Sequence, residues 1–180
     1  MDINTYREAL TEAMTWLAQQ PDTIFLGQAV RFPGNYTYST LEGVPLEKRI
    51  ELGVCEELQM GMTLGLALEG FVPVSIYPRM DFLLLGINQL VNHIDKIAWM
   101  SEGKMQPRII IRTSVGPTKP LDAGPQHTGN YTKALRKMLT AVKVVKLTDA
   151  EIVGWYYRGA YEDKDLRLWL FIEDGELYNE

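Results

Sequence analysis

The sequence predicts an α/β fold: a three-layer sandwich whose mostly parallel sheet is covered by helices on both faces. Three observations carry that expectation. Short, unbroken apolar runs such as Ile109-Ile110-Ile111 alternate with helical patterns, and strands buried on both faces read as continuous apolar runs. No internal repeat, low-complexity tract or linker divides the chain, so residues 1–180 read as one domain. The composition is globular, with 46% hydrophobic and 23% charged residues, which is ample for a core.

The elements follow in order. Thr5 and Glu8 have capping-box spacing, and Tyr6, Leu10, Met14 and Leu17 recur at helical intervals until Pro21 stops the helix. Ile24-Phe25-Leu26 is a short strand. Residues 28–50 hold Pro33, Gly34, Gly43 and Pro45 and read mostly as loop. A helix spans 56–69, Gly70 ends it, and 71–77 is a strand. Residues 81–100 form a long helix that is apolar on more than one face, hence deeply buried in its domain or against another chain. The strand 109–111 leads into a loop, 114–129, that is rich in Gly and Pro. Loops of that length inside compact domains are usually functional, and ligands of open α/β sheets gather at the carboxyl ends of strands, where this loop starts. Helix 130–139, strand 142–147, a helix opened by a second capping box at Thr148 and Glu151, and strand 168–172 complete the chain.

Charge and cysteine usage exclude several classes. Lys plus Arg number 18 against 23 Asp plus Glu, a formal charge of −5. Phosphate affinity depends on Lys and Arg, so no nucleic acid is expected as a partner. One cysteine, Cys55, precludes an internal disulfide and suits a reducing compartment. No basic segment followed by an apolar run opens the chain, and no apolar stretch reaches the roughly 20 residues that span a bilayer. The expectation is a cytoplasmic protein with no membrane association.

Few residues bear candidate chemistry. Glu56 opens the 56–69 helix, where a carboxylate complements the helix dipole. Gly61 and Gly65, each costing about 1 kcal/mol relative to alanine in a helix interior, clear a strip for close approach by another backbone, inside the domain or between subunits. Phe82 reads as a core aromatic or as a ring that a ligand stacks on. His127, in the Gly/Pro loop, reads as a surface residue or a functional one. His93, mid-helix, reads as structural, and Cys55 as a small buried residue. No His, Cys and carboxylate spacing suggests a metal site within this chain.

From Glu56 onward a resemblance becomes specific. Glu56-x-x-x-x-Gly61-Met62-x-x-Gly65 resembles the motif of the pyrimidine-binding domain of thiamine diphosphate enzymes. Gly70 to Val74, Phe82 through Gln89 to Lys96, Met100-Ser101-Glu102-Gly103, Ile111-Arg112-Thr113, Ala123-Gly124-Pro125-Gln126-His127 and Phe171-Ile172-Glu173 then Leu177-Tyr178 are collinear with that domain over nearly the whole chain. The nearest likeness is to beta subunits of the first component of 2-oxo acid dehydrogenase complexes.

The resemblance implies the thiamine diphosphate-binding fold and a site shared between chains. It implies that Glu56 hydrogen-bonds a ring nitrogen of the cofactor's aminopyrimidine, favouring the imino tautomer that generates the ylide. It implies that Phe82 stacks on the aminopyrimidine and that His127 faces substrate. A glutamate suits the first role because it can share a proton with a weakly basic ring nitrogen in a dry pocket. The diphosphate is held in that family, through Mg2+, by a Gly-Asp-Gly motif and a later asparagine. Glu173-Asp174-Gly175 is not such a motif, so an alpha-like partner chain is implied, with two copies of each chain in a heterotetramer. The substrate class is a 2-oxo acid, decarboxylated with transfer of the acyl or aldehyde fragment. The alternatives are half of a split transketolase, or of a split 2-oxo acid decarboxylase or synthase, and a non-catalytic regulatory subunit of the same fold.

Three departures accompany the likeness. Gln28 stands where the family usually has a glutamate of an acidic tunnel between two active sites, and a neutral amide cannot relay a charge in the same way. Glu69 replaces a third small residue of the glycine helix, which loosens the expected subunit contact. Relatives continue past the Leu177-Tyr178 region into a dimerising domain, so the sequence reads as a truncated piece or a naturally short subunit.

Overall fold

A computed structural model describes residues 5–179. The start of the chain, read above as free of a leader, lies partly outside the described residues. Six parallel strands form one sheet in the order β2-β1-β3-β4-β6-β5. These are β1 (Thr23–Gly27), β2 (Arg49–Glu51), β3 (Val72–Tyr77), β4 (Ile109–Val115), β5 (Lys143–Lys146) and β6 (Leu168–Asp174). The helices are α1 (Tyr6–Ala18), α2 (Tyr36–Ser39), α3 (Glu56–Leu68), α4 (Met80–Leu83), α5 (Ile97–Met100), α6 (Thr132–Met138) and α7 (Ala150–Glu162).

Both faces of the sheet are covered, as the continuous apolar runs require. On one face Leu10, Met14 and Leu17 of α1 and Val153 and Tyr157 of α7 pack over Phe25, Val74, Ile76, Ile110 and Phe171. On the other, Met60, Leu83, Leu90, Ile94 and Leu135 pack over Ile109, Ile111, Leu170 and Ile172. The α1 capping box forms: the Thr5 hydroxyl accepts from the Glu8 N–H, and the Glu8 carboxylate accepts from the Thr5 N–H at 2.8 Å.

Three local expectations are corrected. Residues 81–100 are not one helix. The α-helical turn α4 gives way to a 3-10 turn at Leu84–Gly86, a π-helical stretch at Gln89–Ile94 and then α5. Gly86 lets this broken rod lie against α3, because a Cβ there would meet the Glu56 carbonyl oxygen at 3.1 Å. Only one side is buried; Leu85 and Trp99 are exposed. Residues 28–50 are mostly loop, as expected, but they also hold α2, a 3-10 turn at Leu46–Lys48 and the start of the edge strand β2. The second capping box does not form: Asp149, not Thr148, caps α7 by accepting from the Ile152 N–H at 3.2 Å. Cys55 is exposed rather than buried, at the residue preceding α3.

The strand order places the site. From β1 the chain passes outward to β2 and then returns to β3 on the other side of β1. At such a switch point the ligands of open α/β sheets bind outside the carboxyl ends of the strands, here β1 and β3. Gln28 leaves the end of β1, Arg79 the end of β3, and Ser114 belongs to the end of β4.

Candidate functional site

Glu56 is the first residue of α3 and is buried, 5% exposed. The start of α3 is fixed by several polar contacts. The Tyr77 hydroxyl donates to the Glu56 carbonyl at 3.3 Å, and the Gln59 amide donates to the Ile76 carbonyl at 3.0 Å and the Ser75 hydroxyl at 3.2 Å. Burial, with the Glu56 charge adding to it against the Ser75 hydrogen bond, holds the Tyr77 phenol well above its ordinary range. The Glu56 side chain is gripped on one oxygen only: the Gln28 amide donates to Oε1 at 3.1 Å. Oε2 receives no hydrogen bond among the described residues.

Gln28 is held in turn by the turn that follows it. The Glu51 carboxylate accepts three consecutive backbone N–H groups, from Ala29 at 2.6 Å, Val30 at 2.8 Å and Arg31 at 2.7 Å. These bonds keep Ala29 in the left-handed region, φ 52°, which a residue with a Cβ seldom adopts. Gly27 closes the approach to β3, since a Cβ there would lie 2.4 Å from the Ile76 carbonyl oxygen. The three-donor cradle for a carboxylate was not legible as a motif, because its acceptor lies 20 to 22 residues away.

Phe82 and His127 meet edge to face, with ring centroids 5.5 Å apart. The loop beyond β4 carries the histidine to this position. The Gly116 N–H donates to the His127 carbonyl at 3.1 Å, and a Cβ at Gly116 would sit 2.1 Å from that oxygen, so only glycine fits. The far end of the loop is tied by Asp81. Its carboxylate accepts from the Gly129 N–H at 3.1 Å and the Tyr131 hydroxyl at 3.2 Å. Asp81 thus joins the Phe82 turn to the His127 loop. The His127 Nδ1 is buried with no hydrogen-bond partner, the kind of exception that calls for a ligand or a catalytic role.

The structure therefore pairs Gln28 with Glu56, and Phe82 with His127. It adds residues the sequence reading passed over: Arg79, Asp81 and Ser114. Among the described residues, no cluster of three or more His, Cys, Asp or Glu side chains is arranged for a metal, and no helix is long and apolar enough to cross a membrane. His93 also has a buried Nδ1 without a partner among the described residues. Gly61 and Gly65 face open space, so the strip serves no helix contact within the described residues.

Comparison with known proteins shows the family. The family model described as transketolase, pyrimidine binding domain, matches residues 4–178. A pyruvate dehydrogenase E1 component subunit beta of Rickettsia conorii is 30% identical over 151 residues, 82% of this chain and 45% of the relative. The mitochondrial subunit beta-2 of Oryza sativa subsp. japonica is 27% identical over 98% of this chain and 46% of its own length. The chain thus spans about half the length of the curated relatives it matches. In structure, a split gene transketolase described as an inactive beta4 tetramer superposes with a TM-score of 0.70 at 19% identity, covering 94% of this chain and 50% of that one. Transketolase from Campylobacter jejuni gives a TM-score of 0.68 at 13% identity, covering 97% and 26%.

Proposed function

Because the chain belongs to the family of transketolase pyrimidine-binding domains, we propose that it is the beta-like subunit of a thiamine diphosphate-dependent enzyme acting on a 2-oxo acid. The observation that carries this reading is Glu56: a buried carboxylate at the switch point of the sheet, pinned through Oε1 by Gln28, with Oε2 free. A carboxyl group with one open oxygen can share a proton with a weakly basic ring nitrogen, so the residues fit the aminopyrimidine half of the cofactor. When bound, the cofactor supplies a carbon nucleophile for attack on a substrate carbonyl.

The chain's own residues have distinct tasks. Glu56 Oε2 holds the proton shared with the pyrimidine nitrogen, and the Gln28 amide keeps the carboxylate from rotating. Phe82 provides the apolar wall for the ring. The His127 imidazole, unpartnered at Nδ1, faces the substrate carbonyl and moves a proton to or from its oxygen. General acid–base assistance of this kind contributes about 100- to 10,000-fold. The diphosphate and Mg2+ are held by an alpha-like chain carrying Gly-Asp-Gly, two copies of each chain forming a heterotetramer. The open Gly61 and Gly65 strip, with exposed Leu58 and Leu68 on the same helix, supports a subunit contact there.

Two measurements test this. The chain, tagged in its native host and purified gently, should bring a stoichiometric Gly-Asp-Gly chain and thiamine diphosphate; a lone chain with neither overturns the proposal. In the reconstituted complex, Glu56→Gln should lower cofactor-dependent turnover by at least about 100-fold. Unchanged turnover would indicate a regulatory role.

A further inference from the structure

Arg79 ends the β3 crossing and caps the turn that carries Phe82, whose N–H donates to the Arg79 carbonyl at 3.1 Å. Its guanidinium is anchored on one side only. Nη1 donates to the Pro78 carbonyl at 2.7 Å and to the Ser114 hydroxyl at 3.3 Å. Ser114 is itself fixed by donating to Pro78 at 2.8 Å. The opposite edge, Nε and Nη2, has no acceptor among the described residues, and Nε is buried. The Tyr36 ring lies beneath the guanidinium, 6.0 Å from ring centre to Cζ.

No carboxylate stands within ion-pair distance of Arg79 among the described residues. The nearest in sequence, Asp81, is occupied by Gly129 and Tyr131. Burial accordingly holds the Arg79 pKa below its ordinary value, with only partial compensation from Tyr178, Tyr36 and Asp81. The His127 loop adjoins the same edge: a Cβ at Gly116 would be 3.0 Å from Arg79 Nε and 2.1 Å from the His127 carbonyl oxygen. Arg79 and His127 thus carry buried, unpartnered nitrogens on segments that meet at Gly116, and no carboxylate pairs with Arg79.

We propose that Arg79 is the residue that anchors the anionic group of the substrate, an oxyanion that is the carboxylate of a 2-oxo acid or the phosphate of a sugar phosphate. This deepens the proposed function and rests on it. The Nε–Nη2 edge presents two parallel N–H groups, the fork that binds planar carboxylates and phosphates bidentately. Ser114 and Pro78 keep the fork from turning, and the His127 ring packs against Phe82. Lysine cannot reproduce the fork, so the charge alone does not suffice.

The test uses the 15N-labelled full chain, following the Arg79 Nε–H resonance, assigned by its loss in Arg79→Lys. Sodium pyruvate and inorganic phosphate are the probes, at constant ionic strength with chloride. Saturable movement with pyruvate identifies the carboxylate source and with phosphate the sugar phosphate. No movement with either, or equal movement with chloride, overturns the inference. In the assembled enzyme, Arg79→Gln should raise KM about tenfold while lowering kcat less, with Arg79→Lys intermediate. An unchanged KM, with turnover still dependent on thiamine diphosphate and Glu56, rejects the anchor and leaves the functional reading standing. Anion binding at Arg79 without cofactor-dependent turnover does the reverse.

Discussion

Arg112 and Arg79 come from neighbouring strands, one in the middle of β4 and one just past β3, yet the protein treats them oppositely. Arg112 is fully buried and fully partnered. Its Nε and Nη2 grip the Glu173 carboxylate at 2.8 and 2.9 Å, and its Nη1 donates to Thr40 at 3.0 Å. Tyr157 donates to the same carboxylate at 2.7 Å, and Tyr178 completes the cluster from the end of the chain. Although burial opposes its charge, the Glu173 carboxylate and the two tyrosines hold the Arg112 pKa above its ordinary value. In Arg79 the same Nε–Nη2 edge is empty. A charge whose partners lie within the chain fastens the fold, whereas a half-buried one lacking them is a place for a partner from outside.

Breaking the satisfied member should have the largest effect on stability. Glu173→Gln leaves Arg112 buried without a counter-charge and should cost about 3–5 kcal/mol, read as the loss of unfolding free energy in denaturant. The same cluster predicts a pH dependence. Burial, then the Glu173 charge, pushes the Tyr157 and Tyr178 phenols well above the usual 10. These phenols stay protonated in the folded chain while the unfolded chain binds fewer protons above pH 10, so stability is present below that pH and falls as pH rises. The limiting slope is about 1.4 kcal/mol per pH unit for each phenol, and Tyr157→Phe should flatten it in alkaline denaturation curves. The smallest effect is expected at the open member. Arg79→Met should change stability by no more than about 0.5 kcal/mol, because no internal ion pair is lost. A destabilisation comparable to that of Glu173→Gln would erase the distinction between the two arginines.

The legible parts of the fold were those written in local chemistry. Thr5 and Glu8 announce α1 within four residues, and the runs around Ile110 and Leu170 mark strands buried on both sides. The break within 81–100 was hidden because Gly86 is shaped by its contact with Glu56, 30 residues away, while its neighbours are all helix-compatible apolar residues. The edge strand β2 is only Arg49–Glu51, too short to show a period. The candidate residues Glu56, Phe82 and His127 were found through a motif resemblance rather than periodicity. Gln28 was noted as a departure, but its bond to Glu56 became visible only once β1 and α3 were placed side by side. Arg79 offered no sequence signal: a lone arginine between strand and helix reads as solvated until its surroundings are known.

The clasp between Gly116 and His127 also has a consequence for loop exchange. Because the two ends of the segment are bonded to each other, and His127 N–H donates to the Gly124 carbonyl at 3.0 Å, the exposed tip at Pro120, Leu121, Asp122 and Ala123 hangs from a closed base. Residues grafted into that tip extend a ring that is already shut, and chain-closure entropy grows only slowly with added length. The tip is therefore a natural insertion point for a reporter or a substrate-gripping loop, one that leaves the histidine's anchoring backbone bonds in place.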